Sequence, residues 1–261
     1  VDQDIEALEY AREKLEHYQD RIILVKSNFY DLKMVVSDLG LNCISGILFD
    51  LGLSSYQVSR QSRGFSFMED NVLDMRMDLS NQFDAYYVIN NYSERELWDI
   101  FSRYGEERFS RTIAREIVGK RKKKPIRTTK ELAQLVANIY YRHKKIKWRI
   151  HPSTKIFQAL RIEVNNELEV LKETLRQSIH ILEDKGRICV ISYHSLEDRI
   201  VKHTFKDFAR KENSILNGYS LNILSKKPIY PSKDEINENR RARSAKMRVA
   251  EKNILERVSE K

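Results

Sequence analysis

The chain has 261 residues, 41% of them hydrophobic and 33% charged, with a formal net charge of +9. That length suits one large domain, or one domain carrying an inserted second. No apolar run reaches the roughly 18 residues a membrane-spanning helix needs, and no secretory signal is read, so a cytoplasmic protein is expected.

In chain order, residues 4–17 place Ile5, Leu8, Ala11 and Leu15 at helical spacing, with Asp4 suited to capping that helix. RIILVKSNF, residues 21–29, reads as a strand and DLKMVVSDLGL as a helix ending near Gly40. SGILFDLG is an apolar run of strand length that ends at Asp50. This strand–helix–strand rhythm predicts a parallel α/β sheet. From about Phe65 to Ile150 the pattern turns helical: Trp98, Phe101, Tyr104, Phe109, Ile113 and Ile117 form an apolar stripe. TTKELAQLVANIYYR follows, capped by Thr128 or Thr129. The α/β rhythm then resumes through a long amphipathic stretch, the strand GRICVISYHS, the helix LEDRIVKHTFKDFARK and a final strand in RSAKMRVAEK. The expected division is 1–64 and 151–261 for the α/β part and 65–150 for a helical insert. Cys43 and Cys189 sit in apolar runs and are expected to be buried thiols, as suits a reducing compartment.

The charge is unevenly placed. Between Arg103 and Arg161 there are 18 Lys/Arg against 4 Asp/Glu, a local +14, which leaves 9 − 14 = −5 for the rest. A basic block on an otherwise acidic chain suits a polyanion, because each neutralised phosphate releases counterions. Lys120, Arg121, Lys122, Lys123, Lys124, Arg127, Lys144, Lys145, Lys147 and Arg149 are the expected phosphate contacts. Tyr140, Tyr141 and Trp148 lie among them and either stack on bases or pack in the helical core.

In open α/β sheets ligands sit beyond the carboxyl ends of the strands. Asp2 fits an acid that accepts hydrogen bonds from ribose hydroxyls, or else a helix N-terminal acid. Asp50 is followed by a glycine, which permits close backbone approach, and by the hydroxyls of Ser54 and Ser55. His194, at the end of a third strand, is a candidate general base or base-contacting donor, or a structural residue. The six histidines show no metal-ligand spacing, so no metal is expected.

The stretch GILFDLGLSSYQVSRQSRGFSFMEDNVLDMRMD resembles the signature of the ribosomal RNA small-subunit methyltransferase H family, also called MraW. RYGEERFSRTIAREI, HPSTKIFQALRIEVNNELEVL, ISYHSLEDRIVKHTF and NRRARSAKMRVAEK resemble it too, in family order over nearly the whole chain. The resemblance implies a class I, Rossmann-like methyltransferase sheet with an inserted all-helical domain. It implies S-adenosylmethionine as cofactor and N4 of a decoding-region cytidine in small-subunit RNA as target. The family's cofactor contacts fall on Asp2, Phe29, Asp50 and Gln57. It also implies a preceding strand and glycine-rich loop. With 8 glycines, no Gly-x-Gly cluster and Val1 first, an N-terminally truncated chain is expected, inactive on its own.

The cytosine N4 lone pair is delocalised into the ring and is a weak nucleophile. Catalysis therefore needs close positioning, and an acceptor for the amino proton. Asp50, Ser54, Ser55 and His194 are the polar groups expected nearest the methyl, without assigned roles. The expected partner is the RNA or the assembled small subunit, with the base unpaired or turned out of its stack. Two competing readings are a non-catalytic RNA-binding protein and a methyltransferase acting on protein or a small molecule; the basic insert argues against the second.

Overall fold

The computed structural model describes residues 1–53, 63–142, 151–210, 212–213 and 218–255. Two compact units emerge: one of residues 1–2, 23–52 and 168 onward, the other of residues 3–22 and 53–167. The second is wider than 65–150, because its core takes side chains such as Ile156 and Leu160 from beyond residue 150.

The first unit is an α/β sheet. Its described strands are β1 (Ile44–Asp50), β2 (Leu182–Ser192), β3 (Tyr219–Ile223) and β4 (Lys246–Ile254), in the order β1-β2-β4-β3. β1 and β2 run parallel, whereas β2–β4 and β4–β3 are antiparallel. A register shift between Ile44 and Gly46 starts the parallel ladder, which then pairs Asp50 with Ile191. Helices α2 (Leu32–Asp38), α8 (Glu167–Ile181) and α9 (Ser195–Phe208) supply Val36, Leu175, Ile179, Val201 and Phe205 to the core around Val190.

Residues 21–29 were expected to form a strand. The structure shows an isolated parallel bridge between Asp2 and Lys26, with a 3-10 turn on either side at Glu16–Arg21 and Phe29–Asp31. Extended chain becomes a strand only as far as a neighbour pairs with it, and this segment pairs at one position. β3 was not anticipated. The cysteines also differ from expectation: Cys43 is exposed just before β1, and Cys189 is half-buried in β2.

The second unit is helical among its described residues, with α1 (Ile5–Lys14), α3 (Ala85–Asn91), α4 (Glu94–Arg103), α5 (Ser110–Arg121), α6 (Thr129–Arg142) and α7 (Ser153–Asn165). Asp4 caps α1 by accepting from the Glu6 N–H. Ser93 and Glu96 form a reciprocal capping box on α4. Thr128 Oγ1 accepts from Glu131 N–H at the start of α6, whereas the buried Thr129 donates its hydroxyl to Glu69 O. The helical stretch that carries the apolar stripe is divided between α4 and α5, where a Cβ on Gly105 would lie 2.7 Å from Phe101 O. Phe101, Ile113 and Ile117 are fully buried as expected, but Trp98 is 42% exposed and Leu97 takes the inward position. The long amphipathic stretch after residue 151 is two helices, because Asn166 turns left-handed at φ 50° between α7 and α8. No helix of the described residues is long and apolar enough to cross a membrane.

Candidate functional site

Four of the residues singled out from sequence fall in the sheet unit: Asp2 at the isolated bridge, Phe29 in a 3-10 turn, Asp50 at the end of β1 and His194 just past β2. Asp2 and the chain at Val25–Ser27 are tied by two backbone bonds, Asp2 N–H to Val25 O (3.2 Å) and Ser27 N–H to Asp2 O (3.1 Å). Phe29 follows in the next turn, which Asn28 caps by accepting from Tyr30 N–H at 2.9 Å. The Phe29 ring lies edge-on to Phe49, with centroids 5.9 Å apart. Its carbonyl accepts from Thr174 Oγ1 at 3.1 Å.

Phe49 faces the core, so the alternation of β1 turns the next side chain, Asp50, toward solvent. The ladder continues one step past it, with Leu51 N–H donating to Ile191 O at 3.0 Å. Gly52 then takes φ 90°, a left-handed geometry that a side chain would strain.

The Tyr193 hydroxyl donates to Asp50 Oδ1 at 2.8 Å. Burial, and then this bond to a carboxylate, raise the phenol pKa above its ordinary value, so Tyr193 stays a donor at neutral pH. The pairing joins residues 143 positions apart and exists because β1 and β2 lie parallel.

His194 serves as the N-cap of α9. Its Nδ1 accepts from Glu197 N–H at 3.4 Å. Glu197 Oε2 accepts in return from His194 N–H at 3.2 Å and from Tyr193 N–H at 2.7 Å. His194 Nε2 lies 3.2 Å from Glu197 Oε1, but without hydrogen-bond alignment, so the approach is a close contact only. Farther along, Arg248 grips Asp198 at 2.6 Å and anchors the first turn of α9 to β4. Ser192 Oγ donates to Lys246 O at 3.2 Å across the same strand pair. These contacts hold the Tyr193–His194 turn in place.

Ser54, Ser55 and Gln57 lie outside the described residues, as do Lys144, Lys145, Lys147, Trp148 and Arg149. Lys122, Lys123 and Arg127 are exposed. Lys120 reaches Glu131 O at 3.4 Å, and Lys124 pairs with Glu131 Oε1 at 3.8 Å. Arg121 points inward: its guanidinium donates to Ile89 O at 2.5 Å and to Tyr92 O, closing the end of α3, and burial lowers its pKa. Tyr140 packs on Phe109 and donates to Glu107, whereas Tyr141 is 62% exposed.

A family model for the MraW methylase family matches residues 1–253. The chain belongs to that family. It is 53% identical over 253 residues to the ribosomal RNA small subunit methyltransferase H of Sulfurihydrogenibium azorense, covering 96% of this chain and 82% of that protein. The protein of the same name from Persephonella marina is 49% identical over 252 residues (97% and 83%). That of Brevibacillus brevis is 46% identical over 260 residues (97% and 82%). Sequence reasoning missed Tyr193 as the partner of Asp50. The available signal was its place one residue past a strand end.

Proposed function

We propose that this chain transfers a methyl group from S-adenosylmethionine to N4 of a cytidine in the decoding region of small-subunit ribosomal RNA. The observation that carries this reading is the Asp50–Tyr193 pair at the ends of two adjacent parallel strands, in a member of a methylase family whose named relatives act on that RNA. The sheet unit is the methyltransferase part, and the stretch 65–150 within the helical unit is the RNA-gripping insert. The setting is the cytoplasm.

The strand ends suit an adenosyl ligand. Asp2 is an acid placed for ribose hydroxyls, Phe29 presents a half-buried ring, and Asp50 is an exposed carboxylate before a left-handed glycine. Asp2, Phe29, Asp50 and Gln57 hold the cofactor, which supplies an electrophilic sulfonium methyl when bound. Tyr193 fixes the Asp50 carboxylate through Oδ1. A carboxylate so oriented accepts a hydrogen bond from an amino group and localises its lone pair. Ser54 and Ser55 stand with it among the polar groups nearest the methyl. His194 orients the turn, since Nδ1 is engaged in capping.

The test incubates small subunits and naked RNA with this chain and labelled S-adenosylmethionine. Label in N4-methylcytidine is expected. Label in another nucleoside, or none, overturns the assignment.

A further inference from the structure

We propose that the cleft between α8 and α9 is a second RNA-backbone contact, on the methyltransferase unit itself. The proposal rests on the reading that the substrate is RNA, and adds a surface that the charge runs of the sequence do not reveal.

The cleft encloses about 550 Å³. Its floor is Ile200, Thr204 and Phe208; Lys172 and Arg176 wall it from α8, and His203 and Arg210 from α9 and the turn after it. Asp207 lines the cleft as well, and Asn213, whose amide donates to Asp207 O at 2.7 Å, closes one end. The exposed face of α9 continues the same sign. Arg199, Lys202 and Lys206 are all exposed and recur at intervals of three and four, so they share one face. The inward face carries Leu196, Val201 and Phe205.

The acids nearby do not balance this face. Glu197 is buried in the cap of α9, and Asp198 is held by Arg248. Asp207 pairs with Arg210 at 3.4 Å, and Glu169 with Lys172 at 3.9 Å. Arg176, Lys202 and Lys206 remain as exposed cations with no acid matched to each among the described residues. A half-polar groove rimmed by cations, with a hydroxyl and an amide inside, suits phosphodiester oxygens better than an apolar segment of protein.

The position is also useful. α9 begins at the strand-end turn that carries Tyr193 and His194. At a rise of about 1.5 Å per residue, His203 lies roughly 12 Å along the helix from that turn. RNA seated in the cleft is thereby held near the strand ends by the same rigid helix that positions them.

The test is fluorescence anisotropy with a small-subunit RNA fragment across a salt series. It uses the whole chain, Arg176→Ala/His203→Ala/Lys206→Ala, and the insert variant Lys122→Ala/Lys123→Ala/Lys124→Ala. The cleft variant is expected to bind about tenfold more weakly, with a log–log salt slope shallower by roughly 1 to 2. Arg176→Lys/Lys206→Arg, which keeps the charge, should bind like the parent, and melting curves should coincide because all these side chains are exposed. If the insert variant weakens binding while the cleft variant matches the parent in affinity and slope, the cleft proposal is overturned and the RNA reading stands. If the parent itself shows no salt-dependent RNA binding, both fall.

Discussion

The helical unit and the sheet unit differ in which polar side chains they turn inward and which they display. In the helical unit several point inward and lock loops together. Arg63, only 5% exposed, lies 3.5 Å from the buried Asp4 and donates to the carbonyls of Arg76 and Met77. Asn165 accepts from Met77 N–H and donates to Met75 O, and Asn90 bonds both ways with Ile126. In the sheet unit, Asp50 and the cations of α9 are displayed, and among the described residues β1 is an edge strand with Leu48 exposed. The difference teaches that the strongly basic helical unit is not uniformly a phosphate grip. Its inward guanidiniums, Arg63 and Arg121, hold its own fold, while the sheet unit, outside the basic run, presents a cationic helix face.

The largest expected effect breaks the helical unit's inner lock. Arg63→Ala leaves the Asp4 carboxylate buried without its guanidinium and should cost about 3–5 kcal/mol. A urea midpoint close to the parent's would show that the lock is dispensable. Next, within the sheet unit, Leu175→Ala deletes a fully buried side chain from α8 and should cost about 2–5 kcal/mol, whereas Leu48→Ala on the open edge should stay within about 0.5 kcal/mol. A large loss at Leu48 would mean that this edge is covered in solution.

The basic run sharpens the comparison. Lys122→Ala/Lys123→Ala/Lys124→Ala should weaken RNA binding about tenfold and flatten its salt dependence, with little change in melting. Arg121→Ala should do the reverse. It frees the carbonyls of Ile89 and Tyr92, so it should destabilise by about 1–3 kcal/mol and leave the salt slope unchanged. Loss of salt slope in Arg121→Ala would return that side chain to the phosphate-binding set.

Much of this was legible in the sequence for physical reasons. β1, β2 and β4 are long apolar or alternating runs, and Asp4 and Ser93 precede helices as capping residues do. β3 was not legible, because YSLNI is five residues with two polar side chains, and its pairing to β4 is set at a distance. Residues 21–29 misled in the other direction: β propensity was present, but pairing stops at one bridge. At the site, Asp50 was readable as the acid where an apolar run stops. Its bond to Tyr193 was not, since only strand register brings those positions together. His194 attracted a catalytic reading because histidine is not among the favoured N-cap residues, although Glu197 three positions on was the second half of a capping box. The inward turn of Arg121 was invisible because a run of five cations gives no sign of which one faces the core.

The smallest expected effect concerns His180 at the end of α8. The Tyr219 hydroxyl lies 2.8 Å from His180 Nδ1. Burial first, and then the charges of Lys252 and Lys33, hold this imidazole below its ordinary pKa. Lys252 is itself buried, donating to His180 O and Leu182 O and lying 4.4 Å over the Tyr219 ring. A group whose folded pKa is depressed prefers to be neutral in the native state. As pH falls through about 6.5, the unfolded chain takes up the proton before the folded one does. Stability should therefore be present above that pH and decline toward the folded-state value. Because burial of the residue is only partial, solvent screening keeps the effect small, about 1–2 °C in melting temperature between pH 7 and pH 5. His180→Gln keeps a carbonyl acceptor for Tyr219 and removes the titration, so it should flatten this part of the acid response. His151, in the helical unit, is also depressed by burial and should retain its own share. An NMR titration that gives His180 a midpoint at or above 6.5 would sink the argument. A midpoint below 6.5 that rises in Lys252→Met would confirm that the buried ammonium contributes through its charge.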